Sequence, residues 1–95
     1  MLKDKTILVT GAGDGIGKAV AIKYAALGAN LILLGRTLSN LEESYDEIIS
    51  NGSPTPMISL MDLSKADAND YQDLIDNLLD RYDCLDGLLL NAGTL

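Results

Sequence analysis

Five residues, Thr6-Ile7-Leu8-Val9-Thr10, run without a polar break into Gly11-Ala12-Gly13-Asp14-Gly15-Ile16-Gly17, after which apolar residues recur at helical spacing. A short β-branched run that does not alternate with polar residues is the pattern of a strand buried on both faces, as strands of parallel sheets are. From Gly15 onward Ile16, Ala19, Val20, Tyr24 and Leu27 keep the spacing of one helix face, and Gly28 supplies a stop. Strand, glycine loop and helix in immediate succession restrict the chain to βα units, which need parallel neighbours to complete a sheet.

The rest of the chain repeats that unit. Leu31-Ile32-Leu33-Leu34 reads as a second buried strand closed by Gly35-Arg36-Thr37. Ser39, with Glu42 three residues on, forms a Ser-x-x-Glu capping box, so the next helix is expected to open at Ser39. Its apolar stripe is Leu41, Tyr45, Ile48 and Ile49, and Asn51-Gly52 ends it. Met57 to Met61 follows Pro54 and Pro56 as a third strand. Tyr71, Leu74, Ile75, Leu78, Leu79 and Tyr82 then mark a helix by their spacing of three and four, with aspartates opposite. Leu88-Leu89-Leu90 is a fourth strand, entered through Asp86-Gly87 and left through Asn91-Ala92-Gly93. Right-handed crossovers between these strands predict an α/β fold, a doubly wound parallel sheet of order 3-2-1-4 with helices on both faces. The switch point lies between the first and fourth strands, where open sheets of this kind bind ligands.

Composition narrows the function classes. Ninety-five residues make at most one domain. Apolar residues are 47% of the chain, but no run approaches the roughly 18 needed to span a bilayer. Met1-Leu2-Lys3-Asp4-Lys5 leads to the first strand without the features of a signal peptide, so a cytoplasmic location is expected. Cys84 is the only cysteine and histidine is absent, which excludes an internal disulfide and argues against a zinc centre or other metal site; Cys84 is expected to fill space in or beside the core. A net charge of −7 disfavours a nucleic-acid surface. Half of the fourteen acids, Asp67, Asp70, Asp73, Asp76, Asp80, Asp83 and Asp86, read as one solvated helix face.

The glycine loop carries the chemistry. A phosphate that approaches a helix N-terminus needs bare backbone N–H groups and no Cβ in its path. Gly11 can turn sharply, Gly15 leaves room for close approach, and Gly17 lets the helix pack tightly. The combination is an anion cradle for a dinucleotide pyrophosphate, built without a basic side chain.

Three residues between Gly11 and Gly15, the Asp62-Leu63 pair after the third strand and Asn91-Ala92-Gly93 after the fourth together resemble the N-terminal half of the short-chain dehydrogenase/reductase family. The resemblance covers the whole chain. It implies a Rossmann-type three-layer αβα fold, with residues 1–95 as the incomplete N-terminal NADP-binding portion of a single domain. It places Gly11, Gly13, Asp14, Gly15, Ile16 and Gly17 around the cofactor's pyrophosphate and ribose, Gly13 standing where the family often has serine. Asp62 would hydrogen-bond the adenine amino group beside the backbone of Leu63. Asn91 would link strands and form the floor near the ribose, while Ala92 and Gly93 let the cofactor pass close to the main chain. Plainer roles compete: Asp62 as a helix cap or turn residue, Asn91 as a strand-end turn, Asp14 as the N-cap of the first helix.

Cofactor preference turns on the end of the second strand, where an acid would bind the ribose 2′-OH of NAD and repel a 2′-phosphate. Gly35 stands in that place, and Arg36 follows with a guanidinium able to pair with the phosphate and stack on adenine. Thr37 adds a hydroxyl. NADP is therefore expected over NAD, although the carboxylate of Asp14 pulls the other way, and an exposed arginine near a helix start is the bland alternative.

The family's catalytic serine, Tyr-x-x-x-Lys pair and assisting asparagine would all lie beyond the Asn-Ala-Gly motif. None of Tyr24, Tyr45, Tyr71 and Tyr82 has a lysine four residues on, so no catalytic residue is expected within these 95 residues and the chain reads as a fragment. The function implied by resemblance is an NADP-dependent oxidoreductase that moves hydride between nicotinamide and an alcohol or carbonyl, homo-oligomeric when whole and acting on a small-molecule substrate, with neither nucleic acid nor membrane as partner. The competing reading is a non-catalytic dinucleotide-binding or partner-binding module.

Overall fold

A computed structural model describes residues 2–13, 15–62, 65, 67–82 and 85–89. The elements in order are β1 (Thr6–Thr10), α1 (Gly15–Ala26), β2 (Asn30–Gly35), α2 (Leu38–Ser50), β3 (Met57–Leu60), α3 (Ala68–Arg81) and β4 (Gly87–Leu89). The strands form one parallel sheet of order β3-β2-β1-β4, as the sequence predicts. Register pairs Thr6 with Asn30, Ile32 with Met57 and Ile7 with Gly87, so the C-terminal ends of all four strands come out along one rim.

Alternation along the central strands divides the core in two. Ile7, Val9, Leu31 and Leu33 meet Ala21, Ala25, Leu41 and Ile48 of α1 and α2, whereas Leu8, Ile32 and Leu34 meet Leu74 and Leu78 of α3. Each fully buried Leu, Ile or Val contributes about 1.5–3 kcal/mol. The two faces are unequally covered: Leu88, on the α3 side of β4, is 53% exposed.

Several sequence expectations shift. In α1 the buried face is Gly17, Ala21 and Ala25, with Ile16 and Ala19 outward. The helix is apolar nearly all round, so periodicity cannot choose its inner face; its smallest residues turn inward because they allow the closest approach. In α2 the N-cap is Thr37, extended at φ −115° and ψ 109°, and Ser39 lies inside the first turn, so the expected capping box is absent. The chain turns straight out of β2, and the buried stripe Leu41, Ser44 and Ile48 fixes the helix phase, leaving Ile49 exposed. The capping box instead opens α3, where Asp67 accepts from the Asp70 N–H and Asp70 accepts from the Asp67 N–H, each at 3.0 Å.

Of the apolar positions expected to face inward on α3, Leu74 and Leu78 are buried, while Tyr71, Ile75 and Leu79 are exposed. The aspartates are not one solvated face either. Asp86 lies in the approach to β4, where its Oδ2 accepts from the Thr6 N–H at 2.8 Å and its own N–H donates to the Thr6 carbonyl at 2.7 Å. Both glycine stops hold: Gly28 has φ +98° after α1, and Gly52 has φ +77° behind Asn51, the C-cap of α2. Cys84 and Leu90 lie outside the described residues.

Candidate cofactor site

The site is assembled at the strand rim beside the switch point. α1 and α2 lie on one face and α3 on the other, and the strand order reverses between β1 and β4. The Thr10 hydroxyl donates to the Leu89 carbonyl at 3.3 Å, across the boundary between β1 and β4.

The glycine loop has a different role at each position. Gly11 has φ +63°, a left-handed conformation that a Cβ penalises, and it turns the chain sharply out of β1. Ala12 is buried; its N–H donates to the Leu34 carbonyl at 3.2 Å and its carbonyl accepts from the buried Ser44 hydroxyl at 2.8 Å. Gly13 faces α2: a Cβ built there would stand 2.8 Å from the Asn40 Cβ. A side chain at this position would therefore require the loop or α2 to shift. Gly15 has φ +54°, and beyond its chain neighbours and its own helix a Cβ there would meet nothing within 4 Å among the described residues. Its glycine serves conformation and open approach, with no packed side chain requiring it. Gly17 is buried on the inner face of α1, as expected for tight helix packing.

Ile16 is 74% exposed at the first turn of α1. That turn holds no acidic side chain, so the partial positive charge of its N–H groups is not neutralised from within the turn. Arg36 and Thr37 are exposed one connection away, and the Thr37 hydroxyl makes no cap bond. Leu41 packs on the end of β2, where a Cβ at Gly35 would come 3.1 Å from Leu41 Cδ2.

Asp62 follows β3, half-buried, after Met61 donates its N–H to the Gly35 carbonyl at 2.8 Å and ties the second and third connections together. Behind Asp62 opens a polar cleft of about 390 Å³ reaching Lys65, Asp70, Asp73 and Asn77. Of the expected and described site residues it includes Asp62 but neither the glycine loop nor Arg36, so it does not form the cradle. Asp14, Leu63, Asn91, Ala92 and Gly93 lie outside the described residues.

The residue that sequence reasoning missed is in α2. Ser44 occupies a core position between Leu41 and Ile48. A hydroxyl at core spacing was the available signal, since a buried polar group requires a partner.

A parallel α/β sheet with a glycine-lined helix N-terminus at its switch point is the architecture of nucleotide-binding α/β proteins. The short chain dehydrogenase family model matches residues 5–95, and the chain belongs to that family. It is 40% identical over 95 residues to Uncharacterized oxidoreductase YciK of Escherichia coli K12, a match covering 100% of this chain and 38% of the relative. A Pseudomonas syringae structure assigned to the short-chain dehydrogenases superposes with TM-score 0.94 at 47% identity, over 98% of this chain and 38% of the other. A Shigella flexneri structure with the same assignment, complexed with NADP, superposes with TM-score 0.94 at 40% identity, over 99% of this chain and 39% of the other. The chain thus spans about two fifths of these relatives. Among the described residues no helix is long and apolar enough to cross a membrane.

Proposed function

We propose that residues 1–95 are the NADP(H)-binding portion of a single short-chain dehydrogenase/reductase domain. The observation that carries this reading is Gly15, held at φ +54° at the exposed first turn of α1, where a Cβ would meet no atom of the described residues within 4 Å beyond its chain neighbours and its own helix. Such a turn offers backbone N–H groups to a pyrophosphate, and the open side of Gly15 admits it. Gly11 bends the chain away from β1, and Ile16 supplies apolar surface next to the phosphates.

Arg36 and Thr37 would take the 2′-phosphate, Asp62 the adenine amino group beside the Leu63 backbone, and Asn91, Ala92 and Gly93 the ribose side of the cradle. The absence of an acid at Gly35, with Arg36 exposed beside it, supports NADP over NAD. The NADP complex of the Shigella flexneri relative supports the same preference.

When bound, the nicotinamide ring supplies or accepts the hydride; the residues of this chain hold and orient the dinucleotide. The reading extends to an alcohol or carbonyl substrate and an assembly of identical chains, both resting on the family resemblance. The test is titration of the intact protein with NADPH by fluorescence, followed by NADPH consumption against a panel of aldehydes and ketones. Saturable binding with turnover of one panel member is expected. A protein that does not bind NADPH overturns the reading, and one that binds but turns over no carbonyl or alcohol removes its catalytic half.

A further inference from the structure

Ser44 has no place in the cofactor reading, yet it is fully buried and lies directly beneath the glycine loop. A serine inside a helix ordinarily donates to the carbonyl four residues earlier. Here that contact, to Asn40, is 3.4 Å, while the Ala12 carbonyl is at 2.8 Å. A hydroxyl has one proton, and the shorter distance gives it to Ala12. The Ala12 N–H is meanwhile bound to Leu34 at the end of β2. Both main-chain groups of Ala12 are therefore tied, one to the sheet and one to α2, between the φ +63° turn at Gly11 and the Gly13 backbone that rests on Asn40.

We propose that Ser44 is a positioning residue for the dinucleotide: through the Ala12 carbonyl it fixes the height and tilt of the glycine loop whose far side receives the pyrophosphate. This rests on the cofactor reading above. The same helix starts beside Arg36, so Ser44 also holds the phosphate loop at a set distance from the 2′-phosphate end of the site. Loss of the hydroxyl frees the loop but leaves the Arg36 turn as it was. A ligand that spans both ends loses affinity, and one that uses the Arg36 end alone does not.

The experiment compares NADPH with adenosine 2′-monophosphate on the intact protein, wild type against Ser44→Ala, by calorimetric titration well below the melting temperature. NADPH affinity is expected to fall about tenfold and adenosine 2′-monophosphate affinity to stay within about twofold. Equal losses for both ligands, or no loss for either, overturn the proposal and leave Ser44 a packing residue. If Ser44→Ala does not fold, Ser44→Cys keeps the volume with a weak donor; NADPH affinity equal to wild type in that variant overturns the proposal as well. Failure of the wild-type protein to bind NADPH strikes the cofactor reading instead, so the two failures are distinguishable.

Discussion

Gly13 and Arg36, both proposed to line the cofactor site, are constrained in opposite ways. A Cβ at Gly13 would overlap the Asn40 Cβ at 2.8 Å, inside the distance at which two carbons can rest. Gly13→Ala is expected to destabilise the protein by about 1–3 kcal/mol in chemical denaturation. Asn40→Gly, which removes the opposing atom, should recover most of that loss in the double variant; additive penalties would show that the loop clashes elsewhere. Arg36 is exposed, and its replacement leaves the core untouched. Arg36→Ala should weaken NADPH binding by roughly 1.5–3 kcal/mol, the range of a hydrogen bond to a charged group, with NADH nearly unchanged. Equal losses for both cofactors in parallel titrations would remove Arg36 from the 2′-phosphate site. The glycines at 11, 15 and 17 were legible in the sequence because their spacing between strand and helix has a physical meaning. The packing reason for Gly13 was not, since Asn40 is distant in sequence and its contact exists only once α2 docks.

Helix ends show where local patterns stop being decisive. Ser39 and Glu42 have the capping-box spacing, and so do Asp67 and Asp70, yet only the second pair closes. The first fails because the buried stripe Leu41, Ser44 and Ile48 sets the start of α2 earlier, with Thr37 at the cap. Ser39→Ala is therefore expected to change stability by less than about 0.5 kcal/mol, as a surface substitution does. Asp67→Ala, which removes a cap that accepts from the Asp70 N–H, should cost about 1 kcal/mol. A thermal or denaturant melt that ranks the two the other way would restore the local reading. Tertiary packing supplies about 1.5–3 kcal/mol for each buried apolar side chain against roughly 1 kcal/mol for a cap, so packing prevails when the two disagree.

Across the whole molecule, parallel order must be enforced by residues far apart in the chain. Asp86 and Thr6 are 80 positions apart, and their paired contacts at 2.8 and 2.7 Å bind the approach to β4 against the start of β1. Thr6 is buried, so Asp86→Ala strands its N–H and should destabilise the fold by about 1–3 kcal/mol, measured by denaturant titration. An unchanged midpoint would mean that water reaches Thr6 in place of the carboxylate. The strand order and the presence of helices on both faces followed from the succession of βα units and the doubly wound pattern they build.

What the sequence determined by itself was the set of βα units, the sheet order and the glycine-lined entrance to the first helix, because these depend on neighbours in the chain and on backbone sterics. Only the tertiary structure decided which face of α1 turns inward, where α2 begins, that Asp86 serves β1 and that Ser44 anchors Ala12. Each of those depends on which distant atoms come within bonding or contact distance, and a hydroxyl or carboxylate gives no sign in the chain of which backbone group it will meet.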